Sequence, residues 1–216
     1  MFHYQSDNMV INFLNRVFDL MFLGILWFAC CLPVVTAGAS LAALHRVMSK
    51  TLQDHGKGIF REFVCAWKEN FRTATLSWLP LLVSAALLLL NFELCFHMEE
   101  GLPRQLWFGI LIFCAVLWLA LGSWIFPVIA RFEVSVREAF PDAVLFAGKY
   151  PAVTAGVVFF WILDALLLLY LSWFSFPFVA AGLYIQNRMQ ERVFLKYWNK
   201  IQEKEAEEVE KRWSNG

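Results

Sequence analysis

The sequence is poor in charged side chains. Asp, Glu, Lys and Arg make up 17% of its 216 residues, whereas soluble domains carry about 25%. The charges also cancel to a formal net charge of zero, so the chain lacks the basic excess of nucleic-acid-binding proteins, and no nucleic-acid partner is expected. Hydrophobic residues make up 60% of the chain. Because a soluble core does not need so many, the excess predicts contact with membrane lipids.

Motifs of metal, redox and catalytic sites are also lacking. The five cysteines form no C-x-x-C pair, and neither they nor the four histidines stand at the spacing of zinc ligands. The chain contains no G-x-x-x-x-G-K-[ST], H-E-x-x-H or G-x-S-x-G sequence. We therefore expect a protein that is not an enzyme, with no catalytic residue, no metal ligand and no cofactor.

The first long apolar segment is Leu20–Leu44, which contains no formally charged side chain. As a helix it would be about 37 Å long, more than the roughly 30 Å of a bilayer's hydrocarbon core. Pro33 predicts a kink because it lacks a backbone N–H donor, and the small residues 36–40 predict close packing against another helix. Residues 1–19 are predicted to form an interfacial segment or an early start of this span.

An amphipathic helix is predicted for residues 58–75, inside a basic loop. Its apolar face carries four aromatic residues at three- and four-residue steps: Phe60, Phe63, Trp67 and Phe71. Two roles fit this pattern. The helix can lie along the inner leaflet of the membrane, or its aromatic residues can bind a protein partner in the cytoplasm.

Further apolar runs predict spans at residues 76–96 and 106–130 and two short spans within 152–186, with a turn near 172–176. A broken or re-entrant helix is the alternative for 152–186. Basic residues in the first loop and the tail place both in the cytoplasm, so that five spans leave the N-terminus outside. The predicted fold class is all-α: a multi-pass transmembrane bundle over residues 20–187 with amphipathic cytoplasmic helices.

The tail, residues 188–216, is predicted to be a basic amphipathic cytoplasmic helix. Five basic residues stand in it at strict four-residue intervals: Arg188, Arg192, Lys196, Lys200 and Lys204. Like charges at this spacing repel each other along a helix, so an anionic surface is expected to face them. Lipid headgroups are the predicted partner, and an acidic protein is the alternative.

Two carboxylates lie in predicted spans, without any Lys or Arg in a span to pair with them. Asp164 is placed about 18 Å from the cytoplasmic end of its span, where a charge is costly, and Glu93 lies near the outer boundary. Both are candidate intramembrane functional residues. The pattern P-x-V-x-A-G, which occurs at 33–38 and again at 177–182, indicates either a faded repeat or ordinary membrane packing.

A family likeness is carried by three stretches: 32–44, which contains LPVVTAG and LAAL; 60–71, which contains FREF and WKENF; and 127–140. Together they resemble the YesL-like family of bacterial integral membrane proteins. The resemblance implies a bacterial cell membrane and a gene neighbourhood of carbohydrate importers of the ABC type. Residues 138–143, EAFPDA, are similar to the E-A-A-x-x-D-G-A loop of ABC permeases, but they are one residue short and lack the glycine, which favours coincidence.

Two functions follow as hypotheses. The first is a non-enzymatic accessory or regulatory subunit that binds the permease and ATPase subunits of a carbohydrate ABC importer. The second is a small independent transporter or channel, acting alone or as a homo-oligomer, that uses Asp164 in a membrane cavity. The exposed amphipathic segments favour the first, because one deep carboxylate is little for a sugar pathway.

Overall fold

The computed structural model describes residues 9–50, 58–132, 134–171 and 176–214. Within these ranges the chain contains α-helices and no strand, which confirms the predicted all-α class. The helices are α1 (Met9–Cys31), α2 (Ala37–Lys50), α3 (Ile59–Phe96), α4 (Leu102–Phe132), α5 (Val136–Lys149), α6 (Pro151–Leu171) and α7 (Phe176–Ser214), with a short 3₁₀ helix at Val34–Thr36 between α1 and α2.

The predicted kink at Pro33 is a break between two helices. Pro33 has an extended backbone (φ −76°, ψ 108°), and the Thr36 hydroxyl donates hydrogen bonds to the carbonyls of Cys30 and Pro33 at 2.8 and 2.9 Å. The predicted single span Leu20–Leu44 is therefore divided between α1 and α2. The boundary predicted at residue 19 does not interrupt α1, and residues 1–8 lie outside the described part of the chain.

The predicted amphipathic helix 58–75 is not a separate helix along the membrane. It is the first half of α3, whose 38 residues also include the predicted span 76–96. A helix of this length extends about 57 Å, so α3 projects well beyond a hydrocarbon core of about 30 Å. The interfacial orientation was wrong because the pattern of apolar residues gives the faces of a helix but not where the helix ends.

By length and apolar composition, two of the described helices, α3 and α4, can cross a membrane. The bent pair of α5 and α6, whose axes differ in direction by 103°, adds a third candidate. The protein is thus a membrane protein with transmembrane helices, while the count of five spans and the sides of the termini stay predictions. The turn predicted near Ser172 falls on residues 172–175, outside the described part.

The sharp corner between α5 and α6 is stabilised by side chains. Ser135 and Glu138 form a capping box at the start of α5: the Ser135 backbone N–H and hydroxyl both donate to Glu138 Oε2, at 3.0 and 2.8 Å. After the corner, the Thr154 hydroxyl lies 3.2 Å from the Ala147 carbonyl and 3.1 Å from the Tyr150 carbonyl, and it accepts a hydrogen bond from Trp124 Nε1. The corner is therefore tied to α4.

Two buried clusters hold the helices together. In the first, the rings of Trp124, Phe146 and Phe194 meet at centroid distances of 5.2–5.7 Å and join α4, α5 and α7. The second joins α1, α2, α3 and α7, and its members include Leu23, Val47, Phe63 and Leu183. α7 belongs to both clusters, so it lies along the interior of the bundle.

Candidate functional site

Four polar side chains of α7 are buried inside the bundle. They are Gln186, Asn187, Gln190 and Glu191, and none is more than 5% exposed. Residues at this spacing share one face of a helix. We call the four residues the polar layer. A buried polar group is costly unless it has a hydrogen-bond partner, so the partners of this layer define the site.

Gln186 binds the carboxyl group of Asp164 on α6. Gln186 Nε2 donates a hydrogen bond of 2.9 Å to Asp164 Oδ2, and both residues are buried. The other contact is Gly182, one turn earlier on α7, where an added Cβ would lie 2.8 Å from Oδ2 and overlap Oδ1. Gly182 therefore makes the space that the carboxyl group occupies.

The contact with Gly182 gives a second measure of the position of Asp164 relative to the basic residues of α7. Gly182 is six residues from Arg188, the first basic residue of the tail, so along α7 it lies only about 9 Å from Arg188. The predicted depth of about 18 Å was counted along α6 from its N-terminal end. The distance counted along α7 is shorter because α6 begins beside the basic part of α7, as the contact between Gly156 and Met189 shows.

Asn187 connects α7 to α2. Its Nδ2 donates to His45 Nδ1 at 3.0 Å and lies 3.3 Å from the His45 carbonyl, while the hydroxyl of Ser49 lies 3.4 Å from its side chain. Because Nδ1 accepts this hydrogen bond, the neutral ring carries its proton on Nε2. His45 lies outside the candidate spans, and its complete burial lowers its pKa from 6.5 to about 4.

Gln190 and Glu191 connect α7 to α4. Gln190 Nε2 donates a hydrogen bond of 2.6 Å to the Ser123 carbonyl, and Glu191 forms an ion pair of 3.2 Å with Arg131 at the end of α4. Glu191 is buried, whereas the Arg131 side chain is 34% exposed, so removal of Arg131 would leave a buried carboxylate without this partner. The polar layer thus bonds to α2, α4 and α6 within two turns of α7.

A small polar cavity of about 30 Å³ lies where α2, α4 and α7 meet. Its walls include His45, Ser49, Arg131, Asn187 and Glu191. This volume has room for a water molecule or two, and the polar walls supply hydrogen-bond partners for them. Among the described residues, no group of three or more His, Cys, Asp or Glu could hold a metal ion.

Glu93, the other candidate carboxylate, is not part of this site. Its side chain is 74% exposed and lies 3.8 Å from His97 in an ion-pair geometry near the end of α3. The structure therefore separates the two candidates: Asp164 is enclosed by α7, whereas Glu93 lies on the surface.

The four predicted aromatic residues do not form one exposed surface. Phe63 is 1% exposed and packs in the second cluster, Trp67 is half-buried against both clusters, and only Phe60 and Phe71 are exposed. The prediction of a partner-binding ridge made of all four is thus wrong for Phe63. Phe63 packs against α2, which the sequence pattern could not identify as its neighbour.

The basic residues of the tail lie on the side of α7 that faces away from the bundle. Arg188, Arg192, Lys196 and Lys200 are all exposed, and Arg188 Nε donates a 3.0 Å hydrogen bond to the hydroxyl of Tyr184. We call these four residues the basic stripe. Lys204 follows on the same helix, and its side chain lies outside the described part. α7 continues through residue 187, so the predicted tail is an extension of the helix that carries the polar layer.

A second exposed surface lies on α5. Ala139, Ala143 and Phe146 face the first cluster, while Val144 and Leu145 on the other side are about half exposed, at 56% and 49%. Gly148 lies in open space, because an added Cβ would meet no atom within 4 Å. α5 therefore has a mixed outer face, on which Val144 and Leu145 lie beside the exposed charged residues Arg137, Glu138 and Lys149. This face lies at the end of the bundle that carries Arg72, Arg131 and Arg188, which we call the basic end.

Sequence reasoning missed the polar layer, although a signal for it was present. Gln186, Asn187, Gln190 and Glu191 share one face, but the prediction for this region was based on the basic residues that begin at Arg188. Uncharged amides on the side opposite the basic stripe, immediately after an apolar run, are the sequence feature that indicates burial.

A comparison with family models agrees with the membrane-associated part of the predicted resemblance. The model of a family described as a protein of unknown function, DUF624, matches residues 20–92. No curated protein and no solved structure matches the chain. The family match covers α2, part of α1 and most of α3, so it includes His45 but neither Asp164 nor the polar layer. The residue roles described above therefore depend on the geometry of this chain and not on the match.

Proposed function

We propose that the protein is a non-enzymatic accessory or regulatory subunit of a carbohydrate importer of the ABC type. The observation that carries this proposal is the outer face of α5. This helix is set at 103° to α6 and its inner face is fixed in an aromatic cluster. Its rigid outer face presents two exposed apolar side chains, Val144 and Leu145, bordered by exposed charged residues, a combination that suits contact with another protein. The predicted resemblance supplies the class of partner.

Surfaces beside α5 suit the same partner. Phe60 and Phe71 are exposed on the first half of α3, which continues from a candidate span without a break. Glu138, the first residue of the segment similar to the ABC permease loop, is occupied by the capping box of α5. The similarity therefore adds no docking role for Glu138, and the proposal depends on exposed Val144 and Leu145.

The test is a pull-down of the tagged protein from its native membrane in mild detergent. Stoichiometric recovery of permease and ATPase subunits is expected for the unchanged chain and for Met98→Glu, which alters an exposed apolar residue in the connection between α3 and α4. Val144→Glu is expected to abolish the recovery, because a charge at the centre of an apolar interface is costly to desolvate. Recovery of the protein alone, or equal recovery with both variants, would contradict the proposal.

An independent transporter or channel is the second candidate, and the contact between Asp164 and Gln186 favours it. An enclosed carboxyl group near a membrane surface is a feature of ion and proton pathways. Asp164→Asn keeps an oxygen that accepts the Gln186 hydrogen bond but removes the titratable group. If vesicles that contain this variant no longer transport ions or protons, although the variant is expressed and folded normally, the result would support a transporter. Unchanged flux, or no flux from the original protein, would exclude it.

A further inference from the structure

On the exposed face of α7, basic residues begin within a single turn of the last apolar ones, and Leu195 and Trp198 are exposed further along the helix. Ala181 and Ile185 are exposed on the apolar side of this change, and Arg188 and Arg192 are exposed on the other. α3 shows the same change, between exposed Leu76 and exposed Arg72. Apolar residues facing lipid, followed by Arg and Lys at the surface, are the usual sequence of side chains at a membrane boundary. The two helices thus indicate the position of one membrane surface at the basic end.

The polar layer prevents the basic stripe from turning inward. Gln186, Asn187, Gln190 and Glu191 are bonded to three neighbouring helices, on the face of α7 opposite to Arg192 and Lys196. Rotation of α7 would break all of these contacts together. The stripe is therefore held outward by the fold and does not depend on a ligand for its orientation.

No described acidic residue forms an ion pair with the basic stripe. The nearest candidate along α7, Glu191, points into the bundle and pairs with Arg131. Arg188 is oriented by Tyr184, whose hydroxyl accepts from Nε at 3.0 Å and whose ring centroid lies 5.4 Å from the guanidinium carbon. This contact uses only one of the five guanidinium donors and leaves those of the two terminal nitrogens for an anion.

We propose that the basic stripe binds the headgroups of anionic phospholipids at the basic end of the bundle. The inference does not depend on the proposed function. Arg192, Lys196 and Lys200 lie about 6, 12 and 18 Å beyond Arg188 along the helix. A headgroup layer adds only about 5–7 Å to each side of the hydrocarbon core, and electrostatic attraction to it falls off within a Debye length of about 8 Å. The contribution to lipid binding therefore decreases from Arg188 and Arg192 to Lys200, unlike the equal contributions expected of a helix lying on the surface.

Native mass spectrometry of the full chain in detergent tests the inference with two lipids, phosphatidylglycerol and the zwitterionic phosphatidylcholine. The unchanged chain is expected to retain phosphatidylglycerol more tightly. Arg192→Gln is expected to weaken phosphatidylglycerol binding about five-fold, and Lys200→Gln, the matched control on the same stripe, by less than about two-fold. Arg192→Lys keeps the charge and is expected to keep most of the preference.

Each outcome of this experiment either supports or overturns the binding of anionic lipid by the basic stripe. A preference for phosphatidylglycerol that is lost with Arg192→Gln, kept with Lys200→Gln and unaffected by millimolar inorganic phosphate supports a lipid site at the membrane boundary. Equal retention of the two lipids, equal losses with the two Gln variants, or displacement by free phosphate would overturn it. If the stripe instead serves an acidic protein partner, both Gln variants leave lipid retention unchanged, which also overturns the inference.

Discussion

Gly38 on α2 and Gly182 on α7 occupy the same place in the two copies of the P-x-V-x-A-G pattern, yet they make room for different neighbours. A Cβ on Gly38 would lie 2.6 Å from Trp78 Cβ and 2.8 Å from the Ala74 carbonyl oxygen. The three atoms nearest to a Cβ on Gly182 would all belong to the carboxyl group of Asp164. In each copy the glycine follows a proline at or near the start of a helix. The pattern therefore predicts that another helix lies close to the glycine. The residues of that helix decide which groups make the contact.

Among these variants, the largest loss of stability is expected for Gly38→Ala. Because the new methyl group would overlap the backbone of α3, which cannot move without moving the helix, the free energy of unfolding should fall by about 3 kcal/mol. Unfolding by SDS in mixed micelles, followed by tryptophan fluorescence, measures this. Gly109→Ala on α4 is the control. Its Cβ would meet no atom within 4 Å, so it should be neutral or slightly stabilising. Equal stability of the two variants would show that α2 does not pack as described.

Lowering the pH should destabilise the protein, because His45 connects α2 to α7 as a buried neutral ring. The pKa of His45 is about 4 in the folded protein and 6.5 in the unfolded chain. Between these values the unfolded chain binds a proton that the folded protein excludes, so stability decreases as pH falls. From pH 7 to pH 5 the loss should be about 2 kcal/mol.

Unfolding by SDS at pH 7 and at pH 5 measures this loss of stability in two variants. His45→Gln should reduce it, since the amide does not titrate in this range and keeps an acceptor for Asn187. His97→Gln, which changes an exposed histidine, should retain it. An acid response that persists in His45→Gln would contradict the assignment to His45.

Gly182→Ala tests the second copy of the P-x-V-x-A-G pattern, on α7. Displacement of the Asp164 carboxyl group and its bond to Gln186 should cost about 1.5 kcal/mol. The overlap at Gly38 includes the backbone of α3, whereas the overlap at Gly182 is with a side chain, which can move to relieve it. Combined with Asp164→Ala, the glycine substitution should cost at least about 1 kcal/mol less than it does alone, and a double-mutant cycle measures this difference. Additive effects would mean that the carboxyl group does not occupy the space over Gly182.

The smallest effect should come from the residue before the first A-G pair. Thr36 donates to the carbonyls at the break between α1 and α2, whereas the second copy has Ala180 at the corresponding position. Thr36→Val should therefore lower the free energy of unfolding by about 1 kcal/mol, and Thr36→Ser should restore most of it. Equal stability of the two variants would show that the hydroxyl group does not hold the break.

The sequence predicted those features that depend on local pattern. The break at Pro33, the helix over 58–75, the exposure of Arg188 and Arg192, and the burial of Asp164 follow from backbone chemistry, periodicity or charge. Features that depend on which helices become neighbours did not follow. Nothing near Phe63 in the sequence shows that α2 covers it, and nothing near Gln186 shows that its partner is a carboxyl group 22 residues earlier.

The polar layer also has a consequence for the order of assembly. Its partners lie on α2, α4 and α6, all of which precede α7 in the chain. Until α7 is synthesised and inserted, Asp164, His45 and Arg131 have none of these contacts. If the helices insert in chain order, the contacts of the polar layer therefore form together, when α7 packs against the three earlier helices.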